Sequence, residues 1–351
     1  MKKSFVALAV LSTFGVTALA QSSVTLYGVM DAGVARVKNG SAGSQTLLQP
    51  GAVSTSRFGL RGVEDLGGGL KAGFNLESQI NPDVGTAGGA TAAPTALFNR
   101  RSTVSLFGGW GELRIGHDYN PSSRNTYLFE PYIGTSFGTI LNFTHAQKAD
   151  LGSGVTTTLR TSNAVAYFTP KDLGGFYGEA QVAPSEGVAG NKYTGARLGY
   201  RAGAFDVSAA FGTTKTATSD DFEQSNLGVS YAFSFAKVMG LYNVHKFGAL
   251  QQKTTAVSIS VPVGAGEIRA LYGINNRSGG AAGSGFANAD DSKQMSVGYV
   301  HNLSKRTSLY GIFGRITNDG AAKSTVNYSS PASMRGGESS SGYQMGIVHQ
   351  F

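Results

Sequence analysis

Apolar and polar residues alternate with a period of two from Val24 to the last residue. Beyond the first twenty positions, no stretch holds the 3.6-residue period of an amphipathic helix. The alternation divides into sixteen segments, at about 23–37, 56–63, 70–79, 99–107, 112–119, 160–169, 175–183, 193–201, 204–212, 225–233, 237–246, 253–262, 266–274, 293–302, 307–316 and 342–351. The pattern predicts an all-β chain of sixteen strands. Segments 85–96 and 278–289, both rich in Gly and Ala, read as outer loops.

The joints between these segments alternate in length. Glu64 to Gly69, Gly108 to Gly111, Pro170 to Gly174, Ala202-Gly203 and Ser234 to Ala236 are short, whereas 38–55, 80–98, 120–159, 275–292 and 317–341 are long. An even strand number, with tight turns on one rim and long loops on the other, is the geometry of a closed antiparallel transmembrane β-barrel. The two faces of the strands also differ. Phe58 and Leu60 oppose Arg57 and Arg61; Leu70, Phe74 and Leu76 oppose Lys71, Asn75 and Glu77; Leu113 and Ile115 oppose Arg114 and Asp118. A soluble sandwich would bury one face of each sheet in a packed core. Long charged side chains at mid-strand favour instead a wet interior and an apolar exterior, and sixteen strands enclose an aqueous channel. Arg61, Arg114 and Asp118 are therefore expected to face the lumen.

Composition agrees with many short twisted strands: 50 Gly, 20 Phe and 15 Tyr against 9 Pro. Cysteine is absent, so neither disulfides nor thiolate metal sites stabilise the fold. Met1-Lys-Lys, the apolar run Phe5 to Leu11 and Thr17-Ala-Leu-Ala20 read as a cleaved secretory signal over 1–20, too short in its apolar core to span a bilayer as a helix. Residues 21–351 then form one barrel domain. Without Lys2 and Lys3 the 29 basic residues fall to 27, against 21 acidic ones, a net charge of +6 over 331 residues. These charges are scattered, which argues against a nucleic-acid partner. Tyr167, Phe168, Tyr200, Phe233, Phe247, Tyr299, Tyr343 and Phe351 lie near strand ends, where aromatic girdles form.

Little in the chain suggests catalysis. Gly134-Thr-Ser136-Phe-Gly138 has the spacing of a nucleophile elbow but lacks the preceding strand and following helix that the motif requires. His117, His145, His245, His301 and His349 show no metal-ligand spacing. The roughly forty residues of 120–159 are long enough to demand a role. They carry Arg124, Glu130, His145, Lys148 and Asp150, and folded into the lumen they would narrow it; the plainer reading is a surface loop. Arg57, Arg101 and Arg160 lie at the long-loop ends of their strands with inward parity. Arg57 and Arg101 are each seven residues before a short turn, and Arg160 ten. Arginines lining a constriction would favour anions. With Asp118 or Glu130 facing them, a transverse field would cross the pore; paired off with acids, they would give no net preference.

At these residues the chain resembles the gram-negative general porins of β-proteobacteria, of the Neisseria, Bordetella and Burkholderia type. The likeness runs through Ser23-Val-Thr-Leu-Tyr-Gly28 with Asp31-Ala-Gly33, Ser56-Arg-Phe-Gly-Leu-Arg-Gly62, Glu64 to Ala72, Asn99-Arg-Arg101, Gly111 to Gly116, Arg160 with Asn163, Val165, Tyr167 and Pro170, and the ending Gly346 to Phe351. The resemblance implies a sixteen-stranded outer-membrane barrel in a homotrimer, with the third loop folded inward and Arg57, Arg101 and Arg160 at the constriction. Glu130 is then the first choice for their acidic partner. It also implies passive passage of ions and small hydrophilic solutes, inorganic anions among them, with no cofactor. Phe351 would be the signal read by the barrel-assembly machinery, and lipid and lipopolysaccharide the surroundings. A barrel serving as a surface adhesin, or an outer-membrane enzyme, is the alternative to weigh.

Overall fold

A computed structural model describes residues 23–88, 96–133, 136–144, 150–187, 190, 192–327 and 333–351; the signal expected over 1–20 lies outside them. Among the described residues the chain forms β1 (Ser23–Asn39), β2 (Ser44–Pro50), β3 (Arg57–Gly67), β4 (Leu70–Asn81), β5 (Thr86–Ala87), β6 (Arg101–Gly108), β7 (Gly111–Tyr119), β8 (Arg160–Phe168) and β9 (Phe176–Ala183). It continues with β10 (Lys192–Ala202), β11 (Phe205–Lys215), β12 (Phe222–Ala232), β13 (Lys237–Phe247), β14 (Leu250–Val263), β15 (Gly266–Ser278), β16 (Ser292–Asn302), β17 (Thr307–Asn318) and β18 (Ser340–Gln350). Two helices, α1 (Pro121–Leu128) and α2 (Leu141–Thr144), lie between β7 and β8.

These eighteen segments fill sixteen positions of one closed antiparallel barrel. β2 pairs with Ala32–Lys38 of β1 and β3 with Ser23–Val29, so β2 and β3 are two pieces of one wall position. β5 and β6 divide β4 in the same way. The sixteen segments read from alternation correspond to the remaining strands, and β2 and the two-residue β5 fall within the connections 38–55 and 80–98. The apolar content of β2, Leu47 and Leu48, is too brief to show a period. The ring closes where β18 pairs with β1 from Val29 to Asn39. Gly28 and Phe351 extend that ladder by exchanging two backbone hydrogen bonds of 3.0 and 3.1 Å.

The break between β2 and β3 is held by Asp31. Its Oδ2 accepts the backbone N–H of Ala52, Val53 and Ser54 at 3.0, 2.8 and 2.8 Å, and its Oδ1 accepts the Tyr310 hydroxyl at 2.8 Å. The Ser56 hydroxyl accepts the Asp31 N–H and donates to the Asp31 carbonyl. Side chains thus replace the ladder where the wall is interrupted. Elsewhere the turns on the short rim are tight. Ala202 faces Phe205 and Val263 faces Gly266 across two-residue turns, in which Gly203 and Gly264 take φ of +54° and +57°, a region closed to most side chains. The β13–β14 turn, Gly248-Ala249, is equally tight although it lies on the long-loop rim.

One strand parity carries an exposed apolar band that includes Leu198, Phe211, Leu227, Val257, Tyr272, Met295 and Met345. Six of the eight aromatics expected in girdles are exposed: Tyr167, Tyr200, Phe233, Tyr299, Tyr343 and Phe351. The other two are not. Phe168 lies under the Arg114 guanidinium at 4.1 Å, and Phe247 packs against the buried cluster of Leu151, Val155, Phe222 and Phe286. The opposite parity is mostly polar from β4 to β12, with Tyr193, Ala210 and Phe222 among the buried exceptions, and from β13 round to β1 it presents in addition Leu241, Leu271, Ile312, Ile316 and Val37. A uniformly wet inner face was expected, and this apolar arc departs from it.

Asp31→Ala is expected to leave three amide donors and the Tyr310 hydroxyl without their acceptor and to cost on the order of 3 kcal/mol. Tyr310→Phe, which removes one of those four donors, should cost about 1 kcal/mol. Thermal midpoints of the two variants in detergent check the order; equal losses would remove Asp31 from its central place.

Candidate functional site

The charged wall begins on β3 and runs to β10. Register brings Gly59 of β3 and Arg101 of β6 to either side of Glu77. Glu77 takes Arg57 at 3.3 Å and Arg100 at 2.6 Å. Asp118, buried on β7, takes Arg101 at 3.7 Å, Arg114 at 2.5 Å and Arg124 at 3.2 Å. Arg114 also holds Glu112 through two hydrogen bonds of 2.8 and 3.0 Å. Glu179 of β9 takes Arg124 at 3.0 Å and Arg197 at 3.4 Å. Arg160 donates to the Arg100 carbonyl at 2.8 Å and lies 4.0 Å above the Tyr119 ring. Six arginines thus share four carboxylates, and Arg160 adds a seventh positive charge beside them, an excess of three in one contiguous patch. Arg61, exposed beside the Tyr27 ring at 5.1 Å, adds a further cation with no carboxylate partner among the described residues.

The described residues of segment 120–143, 120–133 and 136–143, lie against this same strand parity. Asn120 starts it: its Oδ1 accepts the Ser123 N–H at 2.7 Å and Pro121 follows at the first helical position, the combination that opens a helix. α1 then docks on the polar residues of β11 to β13, Asn125 donating to Asn226 at 2.7 Å and Thr126 to Asn243 at 3.0 Å. After α1 the segment turns apolar, and Phe129, Tyr132, Phe137, Ile140 and Phe143 are buried against the apolar arc. Glycines of the wall make room for them. A side chain at Gly228 would strike the Phe129 ring, at Gly273 the Ile140 methyl, at Gly314 the Phe137 carbonyl and at Gly342 the Phe137 ring. Polar bonds fix the register: Tyr132 Oη donates to the Arg269 carbonyl at 2.6 Å, Ser296 to Gly138 at 2.9 Å and Gln294 to Thr139 at 3.1 Å.

Several expectations change here. Arg57 and Arg101 share a patch, Arg57 opposite Gln79 and Arg101 opposite Glu77, two residues apart along β4. Arg160 reaches the patch, on the Tyr119 ring, although strict alternation along its strand is broken. Asn163, at φ +56°, forms a bulge that shifts the β7–β8 register, so Thr161 faces Asp118 and Arg160 faces Tyr119. Glu130 is not the acid of the arginine patch. Its carboxylate turns into its own segment, accepting the Thr139 hydroxyl at 2.7 Å and the Tyr132 N–H at 3.3 Å. Glu77, Asp118 and Glu179 take the role instead. Glu77 was legible, since its strand pattern sets it with Lys71 and Asn75. Arg100 was not, because its neighbour Arg101 has the inward parity; Arg100 precedes β6, where alternation does not bind it. Arg114 and Asp118 lie in the patch as expected. Ser136 is buried, and its Oγ accepts the Gly138 N–H at 2.9 Å, a local turn bond. His145 and Lys148 lie outside the described residues.

Comparison with known proteins follows the same line. The family profile described as Gram-negative porin matches residues 7–321. Outer membrane porin protein 32 of Delftia acidovorans is 39% identical over 377 aligned residues, which cover 100% of each chain. An outer membrane porin protein of Bordetella pertussis is 28% identical, over 88% of this chain and 93% of its own. Among solved structures, the anion-selective porin from Comamonas acidovorans superposes with a TM-score of 0.82 at 35% identity, over 94% of this chain and 100% of its own.

Burial pushes the Glu130 carboxyl up to about 8 from its ordinary 4.5, against the Thr139 and Tyr132 hydrogen bonds. Between those values the folded chain holds a proton that the unfolded chain releases, so stability is full below 4.5 and falls as pH rises toward 8. Glu130→Gln, uncharged throughout, is expected to flatten this slope in thermal midpoints taken across the window. A slope that persists in the variant would assign it to another group.

Proposed function

Since the chain belongs to the Gram-negative porin family, we propose that its barrel conducts ions and small hydrophilic solutes passively across the outer membrane and favours anions. The membership itself makes the chain an outer-membrane channel protein and not an enzyme. In the proposed reading the exposed apolar band meets lipid, the buried polar parity lines a water-filled lumen, and segment 120–143 lies across that lumen as its constriction. Phe351, on the strand that closes the barrel, serves as the signal for assembly, and three copies associate in the membrane. The anion-selective porin from Comamonas acidovorans shares this fold, which agrees with the direction of the preference.

The observation that carries the preference is the imbalance of seven arginines over four carboxylates on one wall. Guanidinium keeps its charge whatever its surroundings, and a cationic ring in a pore raises the local concentration of anions while repelling cations. The carboxylates are not idle. They hold the arginines apart and fixed, so that the excess charge is presented from set positions and a dipolar solute crosses with one orientation.

Planar-bilayer recording of the purified protein tests this directly. Discrete conductance steps are expected, with a reversal potential in a KCl gradient of the sign that marks chloride as the more permeant ion. Arg57→Ala combined with Arg101→Ala should move that potential toward cations, and Glu77→Gln should move it further toward anions because it frees Arg57 and Arg100. Reversal potentials that ignore all three changes would remove the patch as the filter.

A further inference from the structure

Part of the charged wall is shared with a cavity of about 480 Å³. Arg57, Arg100 and Arg124 line it together with Glu77, whose single charge is already shared by Arg57 and Arg100, and so do Tyr127 and Ile133 of the segment and Val53 of the interrupted wall. Its volume falls within the roughly 300–1,000 Å³ of small-molecule sites, which combine apolar lining with a few polar groups that fix orientation. Ile133 is 53% exposed, a large apolar side chain left uncovered next to guanidinium groups. A filter for hydrated chloride gains nothing from that surface, since apolar area in contact with water is unfavourable and offers an ion no attraction.

The arginines have donors to spare. Arg57 commits Nε to Glu77 and one Nη to Ser54 and Thr55, while its other Nη has no partner among the described residues. That donor is also not enclosed by protein, because it is absent from the buried atoms that lack hydrogen bonds. A planar carboxylate matches the fork of a guanidinium. An aryl or short alkyl body attached to it would reach Tyr127, Ile133 and Val53 and cover them.

We propose that this cavity is a subsite for small amphiphilic carboxylates, a single carboxylate on an apolar body, and that it holds them in preference to small hydrophilic anions of the same charge. The proposal rests on the anion-favouring reading and names the solute class for which the constriction is shaped. The carboxylate engages Arg57 and Arg124, the apolar body lies on Ile133 and Tyr127, and the solute leaves without covalent change.

Benzoate and acetate are the probes, added separately to single channels carrying chloride current. Each is scored by the concentration that halves the current or the open-state dwell time. Benzoate is expected to act at a concentration at least about tenfold lower than acetate, the discrimination that one apolar body in an apolar pocket supplies. The benzoate-to-acetate ratio within each variant corrects for any change in pore calibre. It should collapse toward one in Ile133→Asn and recover in Ile133→Leu. Equal half-effects in the unaltered protein, or a ratio that survives Ile133→Asn, would overturn the subsite. A wild-type reversal potential without chloride preference would instead overturn the underlying reading, so the two failures are distinguishable.

Discussion

No backbone N–H or C=O of a β-strand can be left unpaired in hydrocarbon, and the structure follows from this constraint. A sheet in lipid has no tolerable edge, so the first and last strands must meet, and here they do so along Val29–Asn39 of β1. The places where the ladder is interrupted are those with the densest substitute bonding. Asp31 is the clearest case, one carboxylate collecting three amides and a tyrosine hydroxyl where β2 gives way to β3. Closure also fixes the parity of every strand, because one face must meet lipid throughout. Once the apolar residues take that face, the charges that remain are gathered on the other.

The gathered charge does not behave as a surface salt-bridge network would. Exposed pairs contribute little, but Asp118 and Glu179 retain only 6% and 2% side-chain exposure, and each is surrounded by more guanidinium than it can neutralise. The arrangement stores an excess of positive charge and immobilises it. Segment 120–143 contributes Arg124 to two of these carboxylates, so the segment and the wall are electrostatically one body on that side. On the other side they are joined by apolar burial. The same segment is therefore held by ions at one end and by phenylalanines at the other.

How much of this could be read from the sequence follows from where period-two alternation applies. Sixteen strands were legible because each has one face in lipid, and that requirement writes itself into every second residue. The inward parity of Arg57, Arg101 and Arg114 came from the same rule. It was interrupted at Arg160, where the bulge at Asn163 takes one residue out of step although the side chain still reaches the patch, and it did not cover Arg100, which lies just outside its strand. It could not address segment 120–143 at all. Phe129, Phe137 and Phe143 fit no local period because their partners are spread over distant strands, and Glu130, a charged residue in a loop, gave no sign that it would be buried away from the arginines. β2 was lost for a related reason: it is a short piece of a wall position, and only the pairing of both β2 and β3 with β1 joins it to the rest of that position.

The glycine seats have a consequence of their own. Gly228, Gly273, Gly314 and Gly342 hold the segment by what they lack, and they are spread over four strands that share no stretch of sequence. Each could acquire a methyl or a larger group by a single substitution, without altering a charge, a ladder bond or the lipid face. In the proposed reading, such a change would push the segment away from the wall and alter the free cross-section beside it. The calibre of the passage is thus adjustable in small independent steps at positions remote from the passage itself, while its electrical character, held by a separate set of residues, stays as it was.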